Sequence, residues 1–207
     1  MKDIKVTRKT TESEMTVEIS FGKIRPDYRK YISTTIPFLN HMIEHIAWRS
    51  GMNITTSVKL DEFVLTHLIC EDLGMALGRA VLKYVTDNRD AGVPGFGDGI
   101  GIIDEAKAES AISFESRPYF CIDYHDTKPT DETEGMYKED LETFLLGFAQ
   151  GASCTLHVDV YRGENGHHIW EAVFRSLGTC LGNALRPDEN RKGMTSGVAG
   201  NIDWEIQ

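Results

Sequence analysis

Part of this chain occurs twice, and that repetition constrains its fold more than any other feature. His67-Leu68-Ile69-Cys70-Glu71 and His167-His168-Ile169-Trp170-Glu171 share His, Ile and Glu at the same places, and Leu77-Gly78 matches Leu177-Gly178, all displaced by 100 residues. An internal repeat means one supersecondary unit used twice, so what one copy forms the other forms in an equivalent place. Both segments continue as apolar stripes at helical spacing, through Val81 and Tyr84 in the first and Leu181 and Leu185 in the second. This predicts two equivalent amphipathic helices.

Each helix follows an extended segment. Cys154, Leu156, Val158 and Val160 alternate with Thr155, His157 and Asp159, the period of a half-buried strand, which turns His157 away from the core. Asn53 to Leu60 is its counterpart. Pro37 to Trp48 predicts a helix opened by a proline, and Glu139 to Gln150 a matching one before Gly151. Further strands are expected at Ile4 to Arg8, Met15 to Phe21, Ala108 to Phe114 and Tyr119 to Tyr124. The stretch Gly92-Val93-Pro94-Gly95-Phe96-Gly97-Asp98-Gly99 separates the copies, and the polar segment His125 to Lys138 reads as an exposed loop. The expected class is α+β, an internal duplication of two similar halves, 1–91 and 92–193, with a tail at 194–207. Each half is expected to be a roughly four-stranded sheet with two helices packed on one face, the pair related by a pseudo-twofold.

Composition narrows the partners. With 22 Lys+Arg against 32 Asp+Glu and a formal charge of -10, the chain repels a phosphate backbone, so nucleic acid is not expected. There is no apolar run of ~18 residues to span a membrane, and the start Met1-Lys2-Asp3-Ile4-Lys5 lacks the apolar stretch of a signal peptide. The expected location is the cytoplasm. Cys70, Cys121, Cys154 and Cys180 are scattered in apolar surroundings without CxxC spacing, and read as small buried hydrophobes in a reducing compartment.

The repeated helix carries the candidate chemistry. A His and a Glu four residues apart project from one helix face, so both can bind one ion. His67 with Glu71 and His167 with Glu171 satisfy this spacing. One such pair is common on any helix; two at equivalent places point to metal. His168 diverges from His167 by ~100° and would serve a second ion, whereas its counterpart Leu68 cannot, which weakens the ligand set of one site. His41 and His157 are the remaining candidate ligands, and His45 shares the face of His41. Imidazole and carboxylate without thiolate suit manganese, iron or zinc, with six-coordination favouring manganese. The HExxH motif is absent, so Glu71 and Glu171 read as ligands and not as bases acting on water.

Several stretches, in order, resemble the imidazoleglycerol-phosphate dehydratase family: Arg8-Lys9-Thr10-Thr11-Glu12, Ile36-Pro37-Phe38-Leu39-Asn40-His41-Met42, Ile103-Asp104-Glu105-Ala106, Ser116-Arg117-Pro118, Thr155-Leu156-His157 and Asn165-Gly166-His167-His168-Ile169-Trp170-Glu171. The resemblance runs from Arg8 to about Gly193. It implies a manganese-dependent hydro-lyase of histidine biosynthesis that eliminates water from a phosphorylated imidazole polyol. It also implies a homo-oligomer in which trimers assemble into a 24-subunit shell and metal ions order active sites between subunits. By this resemblance His41, His67, Glu71, His157, His167, His168 and Glu171 match metal ligands, Glu12 an acid/base residue, and Arg117 and Lys192 phosphate-binding positions. Arg175, standing where the family has a lysine, joins them as a substrate-binding candidate. Other departures are Leu68 and Gly95, where the family has histidine and arginine, and Asn40, Arg49 and Asn190. The tail ending Asp203-Trp204-Glu205-Ile206-Gln207 is unfamiliar. Two further readings stay open: a divergent paralogue with an altered metal site acting on another small molecule, and a metal-ordered assembly without chemistry.

Overall fold

The structure, a computed structural model, describes residues 3–200 together with Ile202 and Glu205. Most of the unfamiliar tail end, including Asp203 and Trp204, lies outside the described residues. The strands are β1 (Ile4–Lys9), β2 (Ser13–Phe21), β3 (Met52–Leu60), β4 (Phe96–Ile103), β5 (Ala106–Ser113), β6 (Tyr119–Asp123), β7 (Glu132–Thr133), β8 (Met136–Tyr137) and β9 (Thr155–Arg162). The helices are α1 (Pro37–Ser50), α2 (Thr66–Asp87), α3 (Lys138–Ala152) and α4 (Gly166–Ala184).

Alternation sets both sheets. In β2, Ser13, Met15, Val17 and Ile19 are buried and the residues between them reach towards water, so one face only can carry helices. β2 pairs antiparallel with β1 and β3, with Val6 opposite Val17 and Ile54 opposite Ile19. The second sheet runs β4-β5-β9-β6, with β6 parallel to β9 and the other pairs antiparallel. The expected four strands are therefore present in the second half, and the first half has three among the described residues. Between β2 and α1 the described chain forms only a short 3-10 turn, Tyr28–Tyr31.

The helices fill the space between the sheets. α1 and α2 rest on the first sheet, α3 and α4 on the second, and the layers meet as α1 on α4 and α2 on α3. Each helix interface thus joins one half of the duplication to the other. A single buried cluster runs through both, including Met15, Leu39, Leu73, Phe148, Leu156 and Trp170. Truncating a fully buried aromatic such as Trp170 or Phe148 to alanine costs about 3–5 kcal/mol, a large part of a domain's net stability.

Two sequence expectations need correction. The Gly-rich stretch is not wholly a linker, because from Phe96 onward it is β4, lying directly against α4. A Cβ on Gly99 would stand 2.2 Å from the Cys180 backbone nitrogen, and one on Gly101 2.0 Å from the Ala172 carbonyl oxygen. The glycines are there because helix and strand backbones touch, and only a residue without Cβ allows that approach. The segment expected to be an exposed loop instead contains the β7–β8 hairpin, which buries Met136 and Thr133 beside the start of α3. No helix among the described residues is long and apolar enough to cross a membrane.

Candidate active site

Side chains on α1 and α4 meet in ascending order, His41 with His167 and then His45 with Glu171, so the two helices run parallel with their polar stripes facing. Local sequence fixes both starts. Pro37 opens α1 without losing a needed N–H, and the Asn165 side chain accepts the His167 N–H at 2.9 Å to cap α4.

Glu171, only 4% exposed, organises the junction. Its Oε2 lies 3.6 Å from His41 Nε2 and 3.4 Å from His167 Nε2. Its Oε1 faces the other way, 3.4 Å from His45 Nε2 and in contact with the Arg175 guanidinium. The other ring nitrogens are held by carboxylates, His41 Nδ1 at 3.0 Å from Glu44 and His167 Nδ1 at 3.2 Å from Glu134. Both rings therefore present Nε2 towards Oε2, as outer carboxylates do for metal-bound histidines. One ligand atom each from His41, His167 and Glu171 lies within 4.8 Å of the others. Burial pushes the His41 imidazole below its ordinary range and His45 down to about 4, outweighing the attraction of Glu171. Neutral imidazole is the form with a lone pair to share. Two imidazole nitrogens and one buried carboxylate oxygen fit a divalent transition ion.

A pocket of ≈ 220 Å³ adjoins this cluster, with His45 as the wall between them. Arg29, Arg49 and Arg175 line it together with Tyr28 and Trp48. Arg29 pairs with Glu44. Arg175 donates to the Ile102 carbonyl at 2.7 Å and keeps a buried Nε without a hydrogen-bond partner. Glu44 lines the recess as well, so three guanidinium forks stand against one carboxylate, and the excess of positive charge suits an oxyanion.

The remaining sequence candidates lie elsewhere. His168 donates from Nδ1 to the Glu105 carboxylate at 2.8 Å, a hydrogen bond that raises its pKa. Glu105 also accepts the Asn165 and Glu164 backbone N–H groups, and these bonds, Asn165 first, lower it to about 2. His157 is exposed on the outer face of the second sheet, its ring 5.6 Å from Tyr119. The His67 side chain is 64% exposed, with Nδ1 3.7 Å from Asp140. No hydrogen bond or ion pair joins it to Glu71 among the described residues. Glu12 is exposed in the β1–β2 turn, and its N–H donates to Thr10 Oγ1 at 3.1 Å. Arg117 is exposed at the start of β6, and Lys192, also exposed, pairs with Glu189 at 2.7 Å. Of the substrate-binding candidates, only Arg175 adjoins the imidazole cluster. Sequence reading passed over Arg29, Trp48 and Arg49 as site residues and left His45 outside the ligand set. The spacing of His41, His45 and Arg49, one turn apart each, was the available signal.

Fold and site together define a duplicated α+β protein with an imidazole–carboxylate centre between its halves, and comparison with known proteins gives that class its activity, a hydro-lyase. Residues 34–181 match the family model of imidazoleglycerol-phosphate dehydratase. The chain belongs to that family, whose members act in histidine biosynthesis. It is 36% identical over 193 residues to the imidazoleglycerol-phosphate dehydratase of Clostridium botulinum, covering 93% of this chain and 94% of that one. It is 32% identical over 206 residues to that of Laribacter hongkongensis, covering 98% and 99%. Among solved structures, the Pyrococcus furiosus enzyme superposes with a TM-score of 0.75 at 29% identity, covering 95% of this chain and 99% of the other. The Staphylococcus aureus enzyme, at 24% identity and a TM-score of 0.73 over 90% and 100% of the two chains, shares the fold.

Proposed function

We propose that the chain eliminates water from imidazole glycerol phosphate with a divalent ion, manganese by resemblance, held by His41, His167 and Glu171. The observation that carries this reading is the division of Glu171. One oxygen turns to the imidazole cluster and the other to the arginine pocket, so a ring site and an oxyanion site share one side chain. When bound, the ion supplies Lewis-acid stabilisation of negative charge on the substrate's imidazole.

The chain's residues do the rest. Arg175 and Arg49 bind the phosphate as forked donors, and Trp48 and Tyr28 wall off water from the chain of the substrate. Fixing both ends leaves the glycerol carbons with little freedom, which converts binding into orientation. Glu12 accepts the proton as a carbon–hydrogen bond of the glycerol chain breaks; the electron pair left on carbon forms the double bond as the neighbouring carbon–oxygen bond breaks, and the departing hydroxide takes up the proton carried by Glu12 and leaves as water, which restores the carboxylate. Arg117 and Lys192, which the resemblance matches to phosphate-binding positions, lie outside this pocket within the chain and would reach the phosphate from a neighbouring copy.

Glu12 lies on a different edge of the chain from the cluster, so the centre is completed between copies in a homo-oligomer, for which the resemblance supplies trimers and a 24-subunit shell. Exposed His157 and half-buried His168 are the donors available to a neighbouring copy. Three cysteines are buried free thiols, which suits a cytoplasmic location. Purified protein loaded with manganese should convert imidazole glycerol phosphate to its dehydrated product. Absence of turnover under conditions where the Clostridium relative is active rejects this substrate.

A further inference from the structure

Asp72, on α2, is a buried charge with no part in the imidazole cluster or the arginine recess; it is 3% exposed. A carboxylate so placed needs partners of its own, and both of its partners come from the β1–β2 hairpin. Asp72 Oδ2 pairs with Arg8 Nη1 at 2.6 Å and accepts the Ser13 hydroxyl at 2.6 Å. Arg8 stands near the end of β1 and Ser13 opens β2, each on the side of its strand that turns towards α2. One oxygen therefore ties down both strands, on either side of the turn that carries Glu12.

The turn itself is closely tied. Thr10 Oγ1 accepts the Glu12 and Ser13 N–H groups, each at 3.1 Å, and the Glu12 carbonyl accepts the Asp61 N–H at 3.1 Å. The Glu12 backbone is thus fixed at both its N–H and its C=O, while its carboxylate makes no hydrogen bond or ion pair among the described residues. The second half shows the converse. Position 172, equivalent to 72 in the repeat, is Ala172, which meets the β4 backbone at Gly101 with no charge between them. The carboxylate of the β4–β5 turn, Glu105, is engaged by the Glu164 and Asn165 N–H groups and by His168. Of the two hairpins, the first alone joins a pinned turn to an unengaged carboxylate.

We propose that Asp72 is a positioning residue for the dehydration: by holding Arg8 and Ser13 it fixes the turn from which Glu12 reaches the centre of a neighbouring copy. This rests on the proton transfer proposed above for Glu12, and it names the group that makes the placement of Glu12 rigid. A carboxylate that completes a site across an interface is aimed only as well as the hairpin beneath it. Charge matters here more than shape. An amide in place of the Asp72 carboxylate still accepts from Ser13, yet leaves the Arg8 guanidinium without its counter-charge. Displacing a proton acceptor by ~1 Å costs on the order of 100-fold in rate.

Steady-state kinetics on the manganese-loaded oligomer, with amide hydrogen exchange alongside, tests the assignment. Asp72→Asn should lower kcat about 10–100-fold with KM held within about twofold, and manganese content per chain should not change. The Glu12 and Ser13 N–H groups should exchange faster. In a Glu12→Gln background the same substitution should lower the residual kcat no further, since no proton acceptor is left to misplace; a role confined to stability adds its loss in either background. Ser13→Ala, which keeps the ion pair, should show the same pattern with a smaller loss, and it carries the test if Asp72→Asn does not fold. Wild-type kcat in both variants overturns the proposal, as does a loss that compounds with Glu12→Gln, a loss of manganese, or unchanged exchange in the turn. If the wild-type protein turns over no imidazole glycerol phosphate, the substrate reading fails on that result alone. Faster exchange at Glu12 in Asp72→Asn then still upholds the pinned turn, and unchanged exchange overturns it.

Discussion

Replacing Glu171 with glutamine isolates what its two oxygens do. The residue is 4% exposed and its side chain touches Arg175, whose own side chain is 22% exposed. Breaking a buried pair by removing one charge costs about 3–5 kcal/mol. Arg175 retains some water and its bond to the Ile102 carbonyl, and glutamine can still accept one hydrogen bond, so the loss should be about 2–3 kcal/mol. For a chain of this size that is a fall in Tm of roughly 5–10 °C, measured by calorimetry in metal-free buffer. Manganese affinity should fall further than the ~10–100-fold typical of losing an outer partner, because the only anionic member of the cluster is gone. Adding Arg175→Gln removes the stranded cation, so the double variant should regain much of the stability and none of the affinity. An unchanged affinity in Glu171→Gln, or a double variant less stable than the single one, refutes the divided role of this carboxylate.

Arg49→Gln should raise KM for the phosphorylated substrate about tenfold with kcat nearly unchanged, since one charge-assisted contact is worth roughly 1.4 kcal/mol of uniform binding. Gly101→Val should destabilise by at least ~4 kcal/mol and yield insoluble protein, because its Cβ would be driven into the Ala172 carbonyl; soluble protein with wild-type Tm contradicts the close strand–helix approach. Burial pushes the Cys154 thiol up to about 12, and Cys70 and Cys180 upward as well. All three stay protonated when folded at pH 8.5, so mass-resolved alkylation should find them unreactive until denaturant is added. Residues 1–91 and 92–193 expressed alone should each fail to fold and should recover helical signal when mixed, because every helix interface crosses between them.

Much of this was legible in the residues. The α4 stripe, the alternation of β9 and the proline start of α1 each follow from local periodicity, and the structure places all three within a residue or two of expectation. The 100-residue repeat correctly equated α2 with α4. Less legible were features set by packing across the duplication. β4 looks like a linker because its glycines answer to the backbone of α4, a partner some 80 residues away in sequence. The His and Glu spacing is identical on both repeated helices, yet only α4 faces a helix with histidines; α2 faces α3, where Asp140 stands instead. Helical spacing tells which side chains share a face, and the facing helix decides what that face can bind.

Because both oxygens of Glu171 draw on a single negative charge, the proposed ring site and the arginine recess would fill in a coupled way. An oxyanion that attracts Arg175 releases electron density to the opposite side of the carboxylate, and a cation there loosens Arg175 in return. Thermodynamic reciprocity makes the two effects equal in free energy. Substrate phosphate would then tighten the ion's hold at the moment the ring arrives.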